Sequence, residues 1–231
     1  MKRALQASMS AVALLAGCSE SVQGQALISA PIGTEQALPT PSELSQALGT
    51  QMRQDAAVRV GGGDILKTSV NARPQTCVGV AHSGERQTYK DAQLSATAQG
   101  SWITSGNGDQ ISVLITVVEF GSPADAHVWF SNVSSGWQRC QGITVTERTE
   151  AFTFTDSVDR VKQSDDLLSA ELLLSTAEGL LTPTPHSRAV TTALRYGVDV
   201  EVLGRREGGA SSKAGATTIA HLVADKVASA P

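Results

Sequence analysis

Residues 111–126 read ISVLITVVEFGSPADA, and the two halves of this stretch ask for different secondary structures. In the first half Ile111, Val113, Ile115 and Val117 alternate with Leu114, Val118 and Phe120, so both faces are apolar at a period of two. Such a strand belongs in the middle of a sheet covered on both sides. Ser122-Pro123-Ala124-Asp125 then reads as a capping box with proline at the first helical position. The helix it opens carries Ala126, Phe130, Val133 and Trp137 at i, i+4, i+7 and i+11. Trp129 lies off that stripe and is expected to be exposed. Gly136 loosens the helix end.

Further strands are expected on both sides. Leu94 to Trp102 alternates loosely, and Gly106-Asn107-Gly108-Asp109 between it and Ile111 is a hairpin signal. The short apolar run Val78–Ala81 follows Cys77 and is expected to be extended. Ile143 to Thr146, Phe152 to Val161 and Leu167 to Leu174 can all be strands. Val198, Val200 and Val202 alternate with Asp199 and Glu201, the pattern of a half-exposed strand. Two helices frame these elements. Ser42 can cap one with Leu44, Leu48 and Met52 on a face, closed by Gly61-Gly62-Gly63. The other places Ile219, Leu222, Val223 and Val227 together near the end of the chain. No repeat period is visible. Strand pairs with a few helices predict a single α+β domain built on a mostly antiparallel sheet.

The chain has 231 residues, 41% hydrophobic, 17% charged and 4% aromatic, enough for one real core. Met1-Lys2-Arg3, the apolar run Ala11–Ala16 and the sequence Leu15-Ala16-Gly17-Cys18 follow a signal-peptide layout. The apolar part is far short of the ~20 residues that span a bilayer. Small residues before Cys18 resemble the bacterial lipobox, in which the thiol is acylated before cleavage. Residues 1–17 are therefore expected to be a lipoprotein signal peptide, with Cys18 the lipidation site. The expected location is the extracytoplasmic face of the cell membrane. Residues 18–41, with Gly24, Pro31, Gly33, Pro39 and Pro41, read as a flexible tether, and residues 42–231 as the domain. The leader carries Lys2 and Arg3, so the remainder is two units more negative than the formal net charge of -4. An acidic chain repels phosphate backbones, so no nucleic acid partner is expected.

Once Cys18 is lipidated, Cys77 and Cys140 remain. An exported protein permits a disulfide between them, while a pair of free thiols and a metal site are the alternatives. His82, His127, His186 and His221 share no metal-binding spacing and no common acidic neighbour. His127 and His221 are expected on helices, at the surface or half-buried. Gly61-Gly62-Gly63 lacks the Lys-Ser/Thr of a phosphate loop. The pairs Asp165-Asp166 and Glu147/Glu150, and the loop Arg205-Arg206-Glu207, read as solvated loop ends. No G-x-S-x-G is present, and His82-Ser83-Gly84 does not identify a nucleophile. No catalytic set is legible, so neither an enzyme nor a cofactor is expected. Trp129, Phe130 and Trp137 can line a ligand cleft, although Phe130 and Trp137 are at core spacing.

Several of these segments together resemble one family. They are Cys77-Val78-Gly79-Val80, Tyr89, the strand ending Glu119-Phe120, Ala124-Asp125-Ala126, Trp137-Gln138-Arg139-Cys140-Gln141-Gly142 and Thr144-Val145-Thr146. They resemble the PknH-like extracellular domain, the sensor domain found outside some mycobacterial Ser/Thr kinases and in many mycobacterial lipoproteins. The likeness runs from about Leu44 to Val227. It implies an antiparallel sheet with helices against it, a cleft for a ligand, and pairing of Cys77 with Cys140. Family members usually carry a second disulfide. The matching stretches here, near Ser187–Thr191 and Leu203–Arg206, have no cysteine, which implies a C-terminal lobe held by packing alone.

The function expected is that of a lipid-anchored module with a sensor-type domain for a small cell-envelope ligand. The alternative is an envelope lipoprotein that contacts a partner protein without any small ligand.

Overall fold

The computed structural model describes residues 32–106, 108, 110–205 and 215–230. The segments expected to be a leader and the first part of a tether, with Cys18, as well as Asn107, Asp109 and Arg206 to Gly209, lie outside the described residues.

Nine strands form one antiparallel sheet in the order β1-β3-β4-β9-β8-β7-β6-β5-β2. They are β1 Met52–Gly61, β2 Ala72–Arg73, β3 Leu94–Thr104, β4 Gln110–Phe120, β5 Thr144–Arg148, β6 Thr153–Ser164, β7 Leu167–Thr176, β8 Thr184–Ala193 and β9 Tyr196–Arg205. The described helices are α1 Thr34–Ala37, α2 Pro41–Leu48, α3 Val78–Ala81, α4 Pro123–Gln138 and α5 Gly215–Ala228. The architecture is α+β with a single domain, as the sequence predicts.

Strand β4 has one row of side chains in each of two cores. Ile111, Val113, Ile115 and Val117 pack with Leu44 and Leu48 of α2 and with Ile219, Val223 and Val227 of α5. Val118 and Phe120 pack on the other face with Val78 and Val80 of α3 and with Trp129, Phe130, Val133 and Trp137 of α4. Ser122 caps α4 as expected, its hydroxyl accepting from the Asp125 amide at 3.2 Å.

Several expectations need correction. The first long helix is capped by Thr40 rather than Ser42: the Thr40 hydroxyl accepts from Glu43 N–H at 3.2 Å and Thr40 N–H donates to Glu43 at 2.6 Å. That helix stops at Gly49, whose φ of 65° suits glycine, so Met52 opens β1 instead of extending the helix. Val78–Ala81 is helical because four apolar residues in a row fit either period, and burial against α4 decides between them. Part of the stretch read as a tether, residues 32–41, packs on the domain. Ala37 is fully buried, Tyr196 Oη donates to the Ile32 carbonyl at 2.6 Å, and Lys226 donates to the Leu38 carbonyl at 3.0 Å. Strand β9 is not half-exposed, since Asp199 is as buried as Val198 and Val200. Strands β8 and β9 stand in the middle of the sheet, between β7 and β4, and charged groups on both help to hold them.

Candidate functional site

Alternation along β8 puts His186, Arg188 and Val190 on the α4 face, and β9 puts Asp199 and Glu201 beside them. Arg188 is fully buried, and each arm of its guanidinium is engaged. Nε donates to Val200 O at 3.1 Å, Nη1 reaches Gly79 O and Val80 O at 3.3 and 3.4 Å, and Nη2 pairs with Asp199. The guanidinium carbon also lies 5.3 Å from the centroid of the Trp137 ring, a cation–π arrangement. Asp199 accepts from Gly84 N–H at 2.9 Å and from Tyr89 Oη at 3.0 Å. Burial and the neighbouring Asp199 carboxylate push the Tyr89 phenol well above its ordinary value, so it remains a donor. Gly84 has a φ of 67°, and a Cβ there would lie 2.0 Å from Gln99 Nε2, so only glycine fits this approach.

A second buried chain runs alongside. His186 Nδ1 is 2.8 Å from Asp156 and its Nε2 is 3.4 Å from Glu201. Burial opposes the charged ring, but the two carboxylates outweigh it and raise the pKa to about 9. With a carboxylate on each nitrogen, His186 is a structural imidazolium and has no free lone pair with which to act as a base. Glu201 also accepts from Ser83 N–H at 2.7 Å, and His186 holds its carboxyl well below the usual range despite burial. Glu147 pairs with His82 at 3.4 Å and Lys67 at 3.8 Å. The His82 hydrogen bond leads in lowering its pKa to about 2, with Lys67 adding to it against the effect of burial. Two of the histidines thus have acidic partners that the linear sequence does not show, and Glu147 is not a solvated loop end.

These pairs pin the segment from Cys77 to Tyr89 onto the sheet. Between that segment, its continuation to Ser95, and α4 lies a cleft of about 800 Å³. Trp129 and Trp137 both line it. Contrary to the helical-face reading, Trp129 is buried: it stacks on Tyr89 with centroids 5.4 Å apart, touches Phe120, and donates from Nε1 to Thr88 O at 3.1 Å. Trp102 lies in the opposite core. Cys77 and Cys140 are bonded, with Cα atoms 5.6 Å apart, and their neighbours Thr76 and Arg139 line the same cleft.

The remaining candidates lie elsewhere. Gly61-Gly62-Gly63 ends β1 in a turn where Gly62 N–H donates to Asp64. Asp165 and Asp166 form the exposed β6–β7 turn, and His127 and His221 are exposed on helices. Among the described residues no group of three or more His, Cys, Asp or Glu is arranged to hold a metal ion, and no helix is long and apolar enough to cross a membrane.

Comparison with known proteins gives the same outline. The profile described as PknH-like extracellular domain matches residues 29–228. The chain belongs to that family. It is therefore an extracytoplasmic domain of sensor type. The crystal structure of the extracellular domain of PknH from Mycobacterium tuberculosis superimposes with a TM-score of 0.71 at 22% identity, over 86% of this chain and 98% of that one, and shares its fold. An uncharacterised protein from Mycobacterium smegmatis gives a TM-score of 0.45 at 13% identity, over 84% of this chain and 97% of that one. No curated protein sequence matches the chain.

The residues that sequence reading missed are Arg188, Asp199, Glu201 and His186. A signal for them exists: two strands whose charges alternate with apolar residues, of opposite sign where they pair, as Arg188 does with Glu201.

Proposed function

We propose that the PknH-like domain is a lipid-anchored, extracytoplasmic module that captures a small cell-envelope ligand in the cleft between α4 and residues 76–95. The observation that carries this reading is that both walls of the cleft are fixed from below, by Arg188, Asp199 and the Cys77–Cys140 bridge. A preformed cavity of this size, lined by mixed polar and apolar side chains, is the usual form of a small-molecule site. The anchor is read from Leu15-Ala16-Gly17-Cys18. Cys18→Ala should block lipidation and processing, and the intact mass of membrane-extracted protein checks this.

The ligand is sought by mass spectrometry of whatever copurifies with the folded protein, and by thermal melting in envelope fractions. Binding to the native state alone adds ~2.7 kcal/mol at a hundredfold excess over Kd, which is several degrees for a domain of this size. Ligand protection from hydrogen exchange should fall on residues 76–95 and on α4. If extracts, envelope lipids and glycans all leave melting and exchange unchanged, the small-ligand reading fails.

The alternative reading, an interaction lipoprotein without a small ligand, draws on a different surface. Phe152, Leu180 and Leu181 are exposed at the same end of the sheet, by the β5–β6 and β7–β8 turns. Proximity labelling on cells, compared with a Leu180→Ser, Leu181→Ser variant, tests it.

A further inference from the structure

The lining of the cleft also bears on what kind of molecule fits it. The amide side chains of Gln87, Gln93 and Asn132 and the hydroxyl of Ser135 line it, and none is engaged by another described residue. Trp137 Nε1 and Thr88 Oγ1 are buried polar atoms without a hydrogen-bond partner among the described residues, and both belong to lining side chains. Both atoms are closed off from solvent, so the amides and the hydroxyl at the surface of the lining are the groups a ligand can reach. The charges on the lining cancel: Lys90 and Arg139 stand against Asp91 and Asp125. Val128, which is 62% exposed, and Leu94 add apolar surface.

We infer that the ligand is an uncharged, hydroxyl-rich molecule, a neutral glycan segment of a few sugar units. The inference rests on the cleft being a ligand site. Each sugar hydroxyl both donates and accepts, which is what an amide side chain offers in return, while the C–H faces of the ring can lie on Val128 and Leu94. A hydrocarbon chain would strip water from the three amides and give nothing back. A phosphate or carboxylate favours a lining with net positive charge, and this one carries as many carboxylates as cations.

The test is a titration of the full chain with neutral oligosaccharides of two to five sugars, in pyranose and furanose forms, followed by NMR of the backbone, side-chain amide and indole N–H signals. Parallel arms use anionic phospholipid vesicles and neutral phospholipid vesicles. At least one oligosaccharide should shift the Trp137 indole and Asn132 amide signals. Its Kd should change less than twofold between 50 and 500 mM salt, because no ion pair is formed. Asn132→Leu, at an exposed helix position, should weaken binding about tenfold with an unchanged fold, one lost hydrogen-bonding side chain being worth roughly that factor. Vesicles shifting these signals while every oligosaccharide is silent would overturn the glycan class and leave the cleft as a ligand site. Silence in all three arms would overturn both.

Discussion

The floor and the walls of the cleft are both rich in polar groups, yet they follow opposite rules. On the floor Arg188 and Asp199 are buried, and each meets the opposite charge of the other. On the walls Gln87, Gln93, Asn132 and Ser135 have no partner among the described residues. A buried charge is tolerated only when it is paired, so the floor is bound by folding. An unpaired wall side chain contributes nothing to folding and is free to meet another molecule. The two regions are therefore separable by mutation, the floor through stability and the walls through binding.

The largest effect is expected at the centre of the floor. Arg188→Met removes the guanidinium and leaves Asp199 buried without its counter-charge, which should destabilise the domain by ~3–5 kcal/mol. Urea denaturation measures this. Adding Asp199→Asn should recover part of the loss, because the worst consequence of the single change is the stranded carboxylate. A loss below about 1 kcal/mol in the single variant would show that the floor is not structural.

The Cys77–Cys140 bridge comes next. It spans a sequence separation of 63 and joins the start of one wall to the end of the other. Replacing both cysteines by alanine should cost ~2–4 kcal/mol, with the chain-entropy estimate near the top of that range. Hydrogen exchange should rise most in residues 76–95 and at the end of α4, since the bridge holds those segments together.

The pH dependence follows from His186 and Glu147. His186 is raised to about 9 from an ordinary value of 6.5, so its contribution is complete below pH 6.5 and disappears as the pH climbs through 9. By linkage that shift corresponds to at most ~3 kcal/mol. Glu147 works in the opposite sense. Lowered to about 2, it contributes above pH 4.5 and loses its contribution as the pH falls toward 2. Stability should thus be flat between about pH 4.5 and 6.5. His186→Asn should flatten the alkaline limb in denaturation curves and leave the acid limb in place.

How much of this was legible varied by element. Strand β4 and helix α4 were readable because each carries ten or more residues of unbroken period and α4 has a clear cap. Strand β8 was not, because Pro185, His186 and Arg188 interrupt its apolar pattern. Strand β9 was found but turned the wrong way outward. Asp199 and Glu201 mimic a solvent face until Arg188 and His186 are known to lie opposite. The cleft was hidden for a related reason. One wall begins with the four-residue helix α3, too short to carry a period, and the off-stripe Trp129 is buried by Tyr89, a residue 40 positions away in the chain. Contacts made between distant segments leave no local period to read.

The smallest stability effects are expected on the walls, and they matter most for the comparison. Ser135 and Asn132 are exposed on α4, and alanine is the better helix former at both. Ser135→Ala and Asn132→Ala should each change the unfolding free energy by less than ~0.5 kcal/mol, in the stabilising direction if at all. Calorimetry of the full chain measures this, and the same variants should retain less of any copurifying ligand. A residue whose removal is neutral for folding and harmful for binding is one the fold did not need. If instead either variant cost more than 1 kcal/mol, the walls would be scaffold like the floor, and the apolar surface at Phe152, Leu180 and Leu181 would be the better place to look for a partner.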